Sequence, residues 1–172
     1  MGLLWLFIWY SFLGFLLEVA FARAVRHPKK DRKCFLLLPL CPVYGMGALM
    51  IRGLTVWSRN PVWVAAAGFG AATAAELLTG AFYRYVLRVE FWNYRGVKRN
   101  IGGLVCLRFS LYWTVLALAM VFWVDPLLVR LAERMPAWAG PPMAMLLGAD
   151  ALVSAAALRA AGSTEVLRWY AR

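Results

Sequence analysis

The sequence predicts an all-α polytopic membrane protein: one transmembrane domain over residues 1–172, a bundle of about five helices, with the N-terminus outside and the C-terminus in the cytoplasm. Three observations predict it. Hydrophobic residues make up 63% of the chain and mean hydropathy is +0.67, more apolar side chain than a soluble domain of this size needs for its core. Five stretches reach the roughly 20 mostly apolar residues that a helix needs to cross the hydrocarbon layer. Nineteen Lys and Arg stand against eight Asp and Glu, and the basic residues gather in alternate connections, the asymmetry that sets topology.

The five stretches are 3–22, 34–57, 61–85, 101–124 and 141–161. The first ends in Ala20-Phe21-Ala22, a small-x-small pattern like a signal-peptidase site, but it lacks a basic leader and carries Glu18 in its apolar part, so it is expected to stay as a helix. The second contains Pro39 and Pro42, and Arg52 lies near its far end. The third is crowded with small residues from Ala65 to Ala75, a surface on which helix backbones approach closely, and is expected at the centre of the bundle. The small-residue run 151–161 of the fifth is expected to pack beside it.

Arg23, Arg26, Lys29, Lys30, Arg32 and Lys33 fall in the first connection; Arg88, Arg95, Lys98 and Arg99 in the third; Arg168 and Arg172 in the tail. The second connection holds only Arg59, and the fourth Arg130 and Arg134, so odd-numbered connections are placed inside. The third connection interleaves Phe91, Trp92 and Tyr94 with its cations, as a segment at the headgroup level does, and is expected to be ordered. The fourth runs from Asp125-Pro126 to Gly140-Pro141 around an amphipathic LLVRLAERM stretch read as a short surface helix.

A net charge of +11 on a soluble chain would suggest nucleic acid; here the basic runs alternate with apolar spans, so anionic lipid headgroups are the expected partners and nucleic acid is excluded. Cys34, Cys41 and Cys106 form no CxxC pair and are expected to be reduced thiols. With His27 the sole histidine, neither a histidine-based metal site nor a Cys-His nucleophile is expected, and no metal or cofactor is assigned.

Ionisable groups in hydrocarbon cost several kcal/mol unless paired or hydrated, which makes Glu18, Glu76, Arg108 and Asp150 the candidates for function. Counting about 1.5 Å of rise per residue places Glu18, Glu76 and Arg108 roughly 6 to 14 Å from the inner boundary, and Asp150, for which no partner is apparent, about 16 Å deep. Cys41, Tyr44, Thr79, Asn100 and Ser110 fall near the same level, giving a candidate binding set of Glu18, Cys41, Tyr44, Glu76, Thr79, Asn100, Arg108 and Ser110 around a polar cavity open to the cytoplasm.

These residues also carry a resemblance. Tyr10-Ser11-Phe12-Leu13-Gly14-Phe15-Leu16-Leu17-Glu18, the segment from Cys34 through Pro39 and Cys41-Pro42-Val43-Tyr44-Gly45, Glu76-Leu77-Leu78-Thr79-Gly80, Phe91-Trp92-Asn93-Tyr94, and the run from Asn100 through Cys106 and Arg108 to Ser110 together resemble the ABC-transporter permease family called type IV, small bacterial multi-pass membrane proteins. The resemblance covers about residues 5–130 and implies a transport component of the bacterial cytoplasmic membrane. Because the chain has no GxxxxGK[ST] phosphate loop, it also implies a separate ATPase or other partner subunit, or a homo-oligomer. Two further classes are open on sequence: an inner-leaflet enzyme on lipid or isoprenoid headgroups, with a carboxylate as base and Arg108 on phosphate, and a structural or regulatory subunit in which the buried charges only fix helix packing.

Overall fold

The computed structural model describes residues 2–25 and 34–167; the basic positions Arg26, Lys29, Lys30, Arg32 and Lys33, with His27, lie outside the described residues, as do Arg168 and Arg172. Helix α1 is Gly2–Ala24, α2 Pro42–Thr55, α3 Pro61–Leu87, α4 Leu107–Glu133 and α5 Gly140–Ala161, with a small hairpin of β1, Asn100–Ile101, and β2, Val105–Cys106, before α4. Among the described residues, four helical stretches are long and apolar enough to cross a membrane: α1, α3, α4 and the stretch Ala137–Ala161 that contains α5.

The second expected span differs. Its helix has 14 residues, about 21 Å of rise, and residues 34–41 before it are irregular, bending through 35–39. The prolines explain the break: Pro39 and Pro42 each disfavour helical backbone in the residue before them, and Cys41 sits at φ −112°, ψ 92°. Irregular backbone at membrane depth must still satisfy its amides. Asp150 of α5 does much of this, its two carboxylate oxygens accepting from the N–H groups of Leu37 and Leu38 at 3.0 Å each. The Cys41 N–H donates to the carbonyl of Ser11 on α1 at 2.8 Å. An acid with no apparent partner in sequence is thus the clamp of the interrupted segment.

α2 then packs against α1 through glycine. A Cβ at Gly14 would overlap the Tyr44 ring, and one at Gly45 would overlap Ser11 and Phe7. α3 begins on Asn60, whose side-chain oxygen accepts from Val62 N–H at 2.9 Å, with Pro61 in the first helical position. It is the most buried of the spanning helices, with 44% of its apolar window covered against 17% for the last, as its small residues led one to expect. Its turn at Gly68–Ala72 widens to π geometry, and Gly68 lies so close to Ala117 that no side chain fits between them. α5, which carries the run 151–161, packs on α1 and on the Phe82–Leu87 end of α3, where Arg159 donates to the Val86 carbonyl at 3.1 Å.

α4 differs from expectation at both ends. Residues 100–106 form the hairpin, so the helix starts at Leu107. At the other end Asp125-Pro126 does not begin a loop. A π turn at Met120–Val124 precedes Pro126 and absorbs its missing N–H, so the helix continues to Glu133. The stretch read as a surface helix is the last part of α4. Asp125 is consequently 4% exposed. It accepts from Tyr10 Oη at 2.6 Å and Arg52 Nη1 at 2.5 Å, with Arg59 Nη2 3.6 Å away, which ties α1, α2 and α4 together at one place.

Candidate functional site

Two of the intramembrane acids meet at one cavity. Glu18, late on α1, accepts from the Tyr44 hydroxyl at 2.8 Å. Glu76, in the middle of α3 and 3% exposed, accepts from the Tyr94 hydroxyl at 2.8 Å on one oxygen and from the Trp113 indole N–H at 3.0 Å on the other. The rings of Tyr44 and Trp113 meet edge to face with centroids 4.9 Å apart. A continuous chain of contacts therefore runs Glu18, Tyr44, Trp113, Glu76, Tyr94, drawing on all of α1 to α4 and the connection after α3. Beside it lies a cavity of about 380 Å³ lined by both carboxylates, by the thiol-bearing Cys34 and Cys41, and mainly by aromatic side chains. Cys34, Cys41 and Cys106 are buried and form no disulfide.

The interrupted segment is what makes room. A continuous helix over residues 34–57 would carry i→i−4 bonds through this level; instead the chain is non-helical up to Cys41, and Tyr44 in the first turn of α2 turns toward Glu18. The connection after α3 closes another side. It is ordered, as expected, but it folds onto the bundle. Arg88 and Arg99 both take left-handed backbone, φ 59° and 57°, bounding a segment held by an Arg84–Glu90 ion pair of 2.7 Å and by the Trp92 indole donating to Leu104 carbonyl at 2.8 Å. Phe91 packs on Tyr83 with centroids 4.6 Å apart and Tyr94 stacks on Phe109 at 4.8 Å. These aromatics cover the cavity and Tyr94 reaches Glu76.

Of the eight residues expected at the site, Glu18, Cys41, Tyr44 and Glu76 line this cavity. The other four do not. Thr79 donates to the Ala75 carbonyl of its own helix at 2.6 Å. Ser110 accepts from Thr73 Oγ1 at 2.8 Å, a bond between α4 and α3. Asn100 shapes the hairpin, its amide donating to Val97 carbonyl and its oxygen accepting from Gly103 N–H. Arg108 is exposed and makes no ion pair with either glutamate; its neighbour Phe109 is the residue that faces the cavity. A phosphate held by Arg108 next to a carboxylate, which headgroup chemistry requires, has no support in this arrangement. Trp113 was not among the expected residues, because an indole within an apolar helix reads as lipid-facing or core until its N–H partner is seen.

A second groove, about 490 Å³, adjoins the first. Leu17, Val43, Tyr44, Trp113 and Leu116 line both, while Leu13, Ala48, Ala117 and Met120 make the second almost wholly apolar. Among the described residues, no cluster of three or more His, Cys, Asp or Glu side chains is arranged to hold a metal ion.

Long apolar helices, a buried charge pair and an acid-containing cavity between helices define an α-helical membrane protein. The chain belongs to the family described as "Putative ABC-transporter type IV", whose family model matches residues 5–155. No curated protein and no solved structure matches it significantly.

Proposed function

We propose that the chain is the permease-like membrane subunit of a transporter and that the Glu18/Glu76 cavity is its solute site. The observation that supports this most is that two carboxylates from different helices line one cavity beside an interrupted helix, the arrangement by which transporters place polar groups at membrane depth while keeping irregular backbone on a cavity. In this reading residues 34–55 complete a fifth crossing, irregular in its first part and helical in its second. The basic first and third connections face the cytoplasm, the N-terminus faces out, and the cavity opens inward. The membrane is the bacterial cytoplasmic one, and nucleotide hydrolysis comes from a separate ATPase subunit, since the chain has no phosphate-binding loop.

The test is uptake or efflux of radiolabelled small ionic solutes in proteoliposomes, with the chain alone and with its co-purifying partners. Glu18→Gln and Glu76→Gln are each expected to lower flux about tenfold or more while leaving the purified protein monodisperse. Flux unchanged in both variants overturns the proposal.

A further inference from the structure

The second groove is a slot between two spanning helices. α1 packs on the Asp125–Glu133 part of α4 but stands off from Leu107–Ala119, and α2 floors the gap with Gly47, Ala48 and Ile51. One end is shut by the Tyr10–Asp125 hydrogen bond, the other by the rings of Phe21 and Phe109, edge to face with centroids 6.3 Å apart. On the α1 rim Leu16 and Leu17 are 46% and 44% exposed, whereas Ala48 and Ile51 of the floor are buried. The slot therefore opens sideways, toward lipid.

Three of its lining residues carry a polar group, and each directs its proton elsewhere. Tyr10 Oη donates to Asp125, Tyr44 Oη to Glu18 and Trp113 Nε1 to Glu76. Among the described residues no charged side chain lines it. Only hydrocarbon makes full contact with such walls, and in a bilayer the hydrocarbon at hand is an acyl chain. The dimensions agree. From Tyr10 to Ala20 the slot follows α1 for about 15 Å, half of the roughly 30 Å hydrocarbon core and so the depth of one leaflet. A partner helix is about 10 Å across and would have to pass the closed ends. The slot also has a direction, because the end at Phe21 and Phe109 is cationic: Arg23 lies in the last turn of α1 and Arg108 in the first turn of α4, both exposed.

We propose that the slot between α1 and α4 binds one acyl chain of an anionic phospholipid, the chain lying over Ala48 and Ile51 and the headgroup phosphate met by Arg23 and Arg108. No bond is made or broken. Tyr44 and Trp113 form the wall shared with the first cavity, so the bound chain braces the two donors that hold Glu18 and Glu76.

The probe is phosphatidylglycerol with a diazirine in one acyl chain, photolysed with the full-length protein in phosphatidylcholine nanodiscs, and the labelled peptides are read by mass spectrometry. Saturable labelling is expected at Gly47 and Ala48 of α2, above the diffuse labelling of the lipid-exposed Leu152 and Val153 on α5. Phosphatidylcholine with the same diazirine should label the two α2 positions about tenfold less. Arg23→Gln and Arg108→Gln should each raise the half-saturating concentration about fivefold, the effect of one basic residue near a charged membrane surface. Ala48→Phe fills the slot and should abolish the labelling; should it fail to fold, Ala20→Trp on the exposed rim decides, with a loss of about fivefold or more. Even labelling of all lipid-facing positions, equal labelling by the phosphatidylcholine probe, or labelling unchanged in the arginine and slot-filling variants overturns the inference. Photo-leucine at position 16 that crosslinks to a second copy of the chain instead of to lipid would seat a helix there and equally overturns it. None of these readouts depends on flux, so the lipid site and the transport reading stand or fall separately.

Discussion

Asp125 and Glu76 are both almost fully buried acids, yet the molecule treats them differently. Asp125 lies against the Arg52 guanidinium and accepts the Tyr10 hydroxyl, and it lines neither of the two cavities described above. Glu76 accepts from a tyrosine and an indole and opens onto 380 Å³ of space. One acid is compensated by a cation within the fold and serves to hold three helices. The other keeps a face toward a space that a ligand can enter. The contrast teaches that an intramembrane carboxylate is read by what surrounds it: a fastener where packing closes over it and, in the function proposed above, a binding group where packing stops short.

The largest effect that can break this comparison is at Asp125. Removing one partner of a buried pair leaves the other uncompensated, so Asp125→Ala should cost about 3 kcal/mol. That figure sits at the low end of the range because the Arg52 side chain remains 32% exposed. Replacing both partners by leucine should restore much of the loss, since two apolar groups carry no desolvation penalty. Glu76→Gln should change stability by about 1 kcal/mol or less, the amide still accepting one of the two hydrogen bonds. Thermal unfolding in detergent ranks the three. If Glu76→Gln proves as destabilising as Asp125→Ala, both acids are fasteners and the distinction falls.

Asp150 sharpens the comparison as an intermediate case, an acid whose partners are backbone. Its two bonds to the Leu37 and Leu38 amides hold the irregular segment, and Ser154 donates to it from one turn away at 3.2 Å. Asp150→Ala leaves those amides without their acceptor at membrane depth and should cost about 2 kcal/mol. Hydrogen exchange should locate the damage, with protection lost first at Leu37 and Leu38. A uniform loss of protection across the bundle would instead make Asp150 a general packing residue.

How much of this could be read from sequence follows from what lipid penalises. Long apolar windows and isolated acids carry large solvation penalties, so the spanning helices, Glu18, Glu76 and the neighbouring Tyr44 were visible. The interruption of the second span was half visible, in Pro39 and Pro42. Asp125 was not, because Asp-Pro reads as a loop start, and only the π turn before Pro126 shows that the helix continues. Arg108 shows the opposite error. Counting rise gives depth but no azimuth, and α4 starts at Leu107 in an orientation that turns Phe109, not Arg108, to the cavity. Trp113 and Tyr94 were hidden for a third reason: an aromatic residue is apolar by composition, and its single donor matters only once an acceptor is placed within about 3 Å of it.

The smallest expected effect concerns how the connection after α3 is held over the cavity. Tyr94 contributes a stacked ring on Phe109 and one hydroxyl bond to Glu76. Tyr94→Phe keeps the ring and removes the hydroxyl alone, so stability should fall by about 1 kcal/mol. The stack, the Arg84–Glu90 pair and the Trp92 bond still fix the segment, so the loss should remain local. Limited proteolysis between Arg88 and Arg99 reads the segment, and thermal unfolding reads the bundle. Faster cleavage with a nearly unchanged midpoint is expected, because Glu76 then loses a donor without losing its place in α3. A midpoint lowered as far as in Asp125→Ala would show that Tyr94 and Glu76 hold the bundle together, and would place this acid with Asp125 after all.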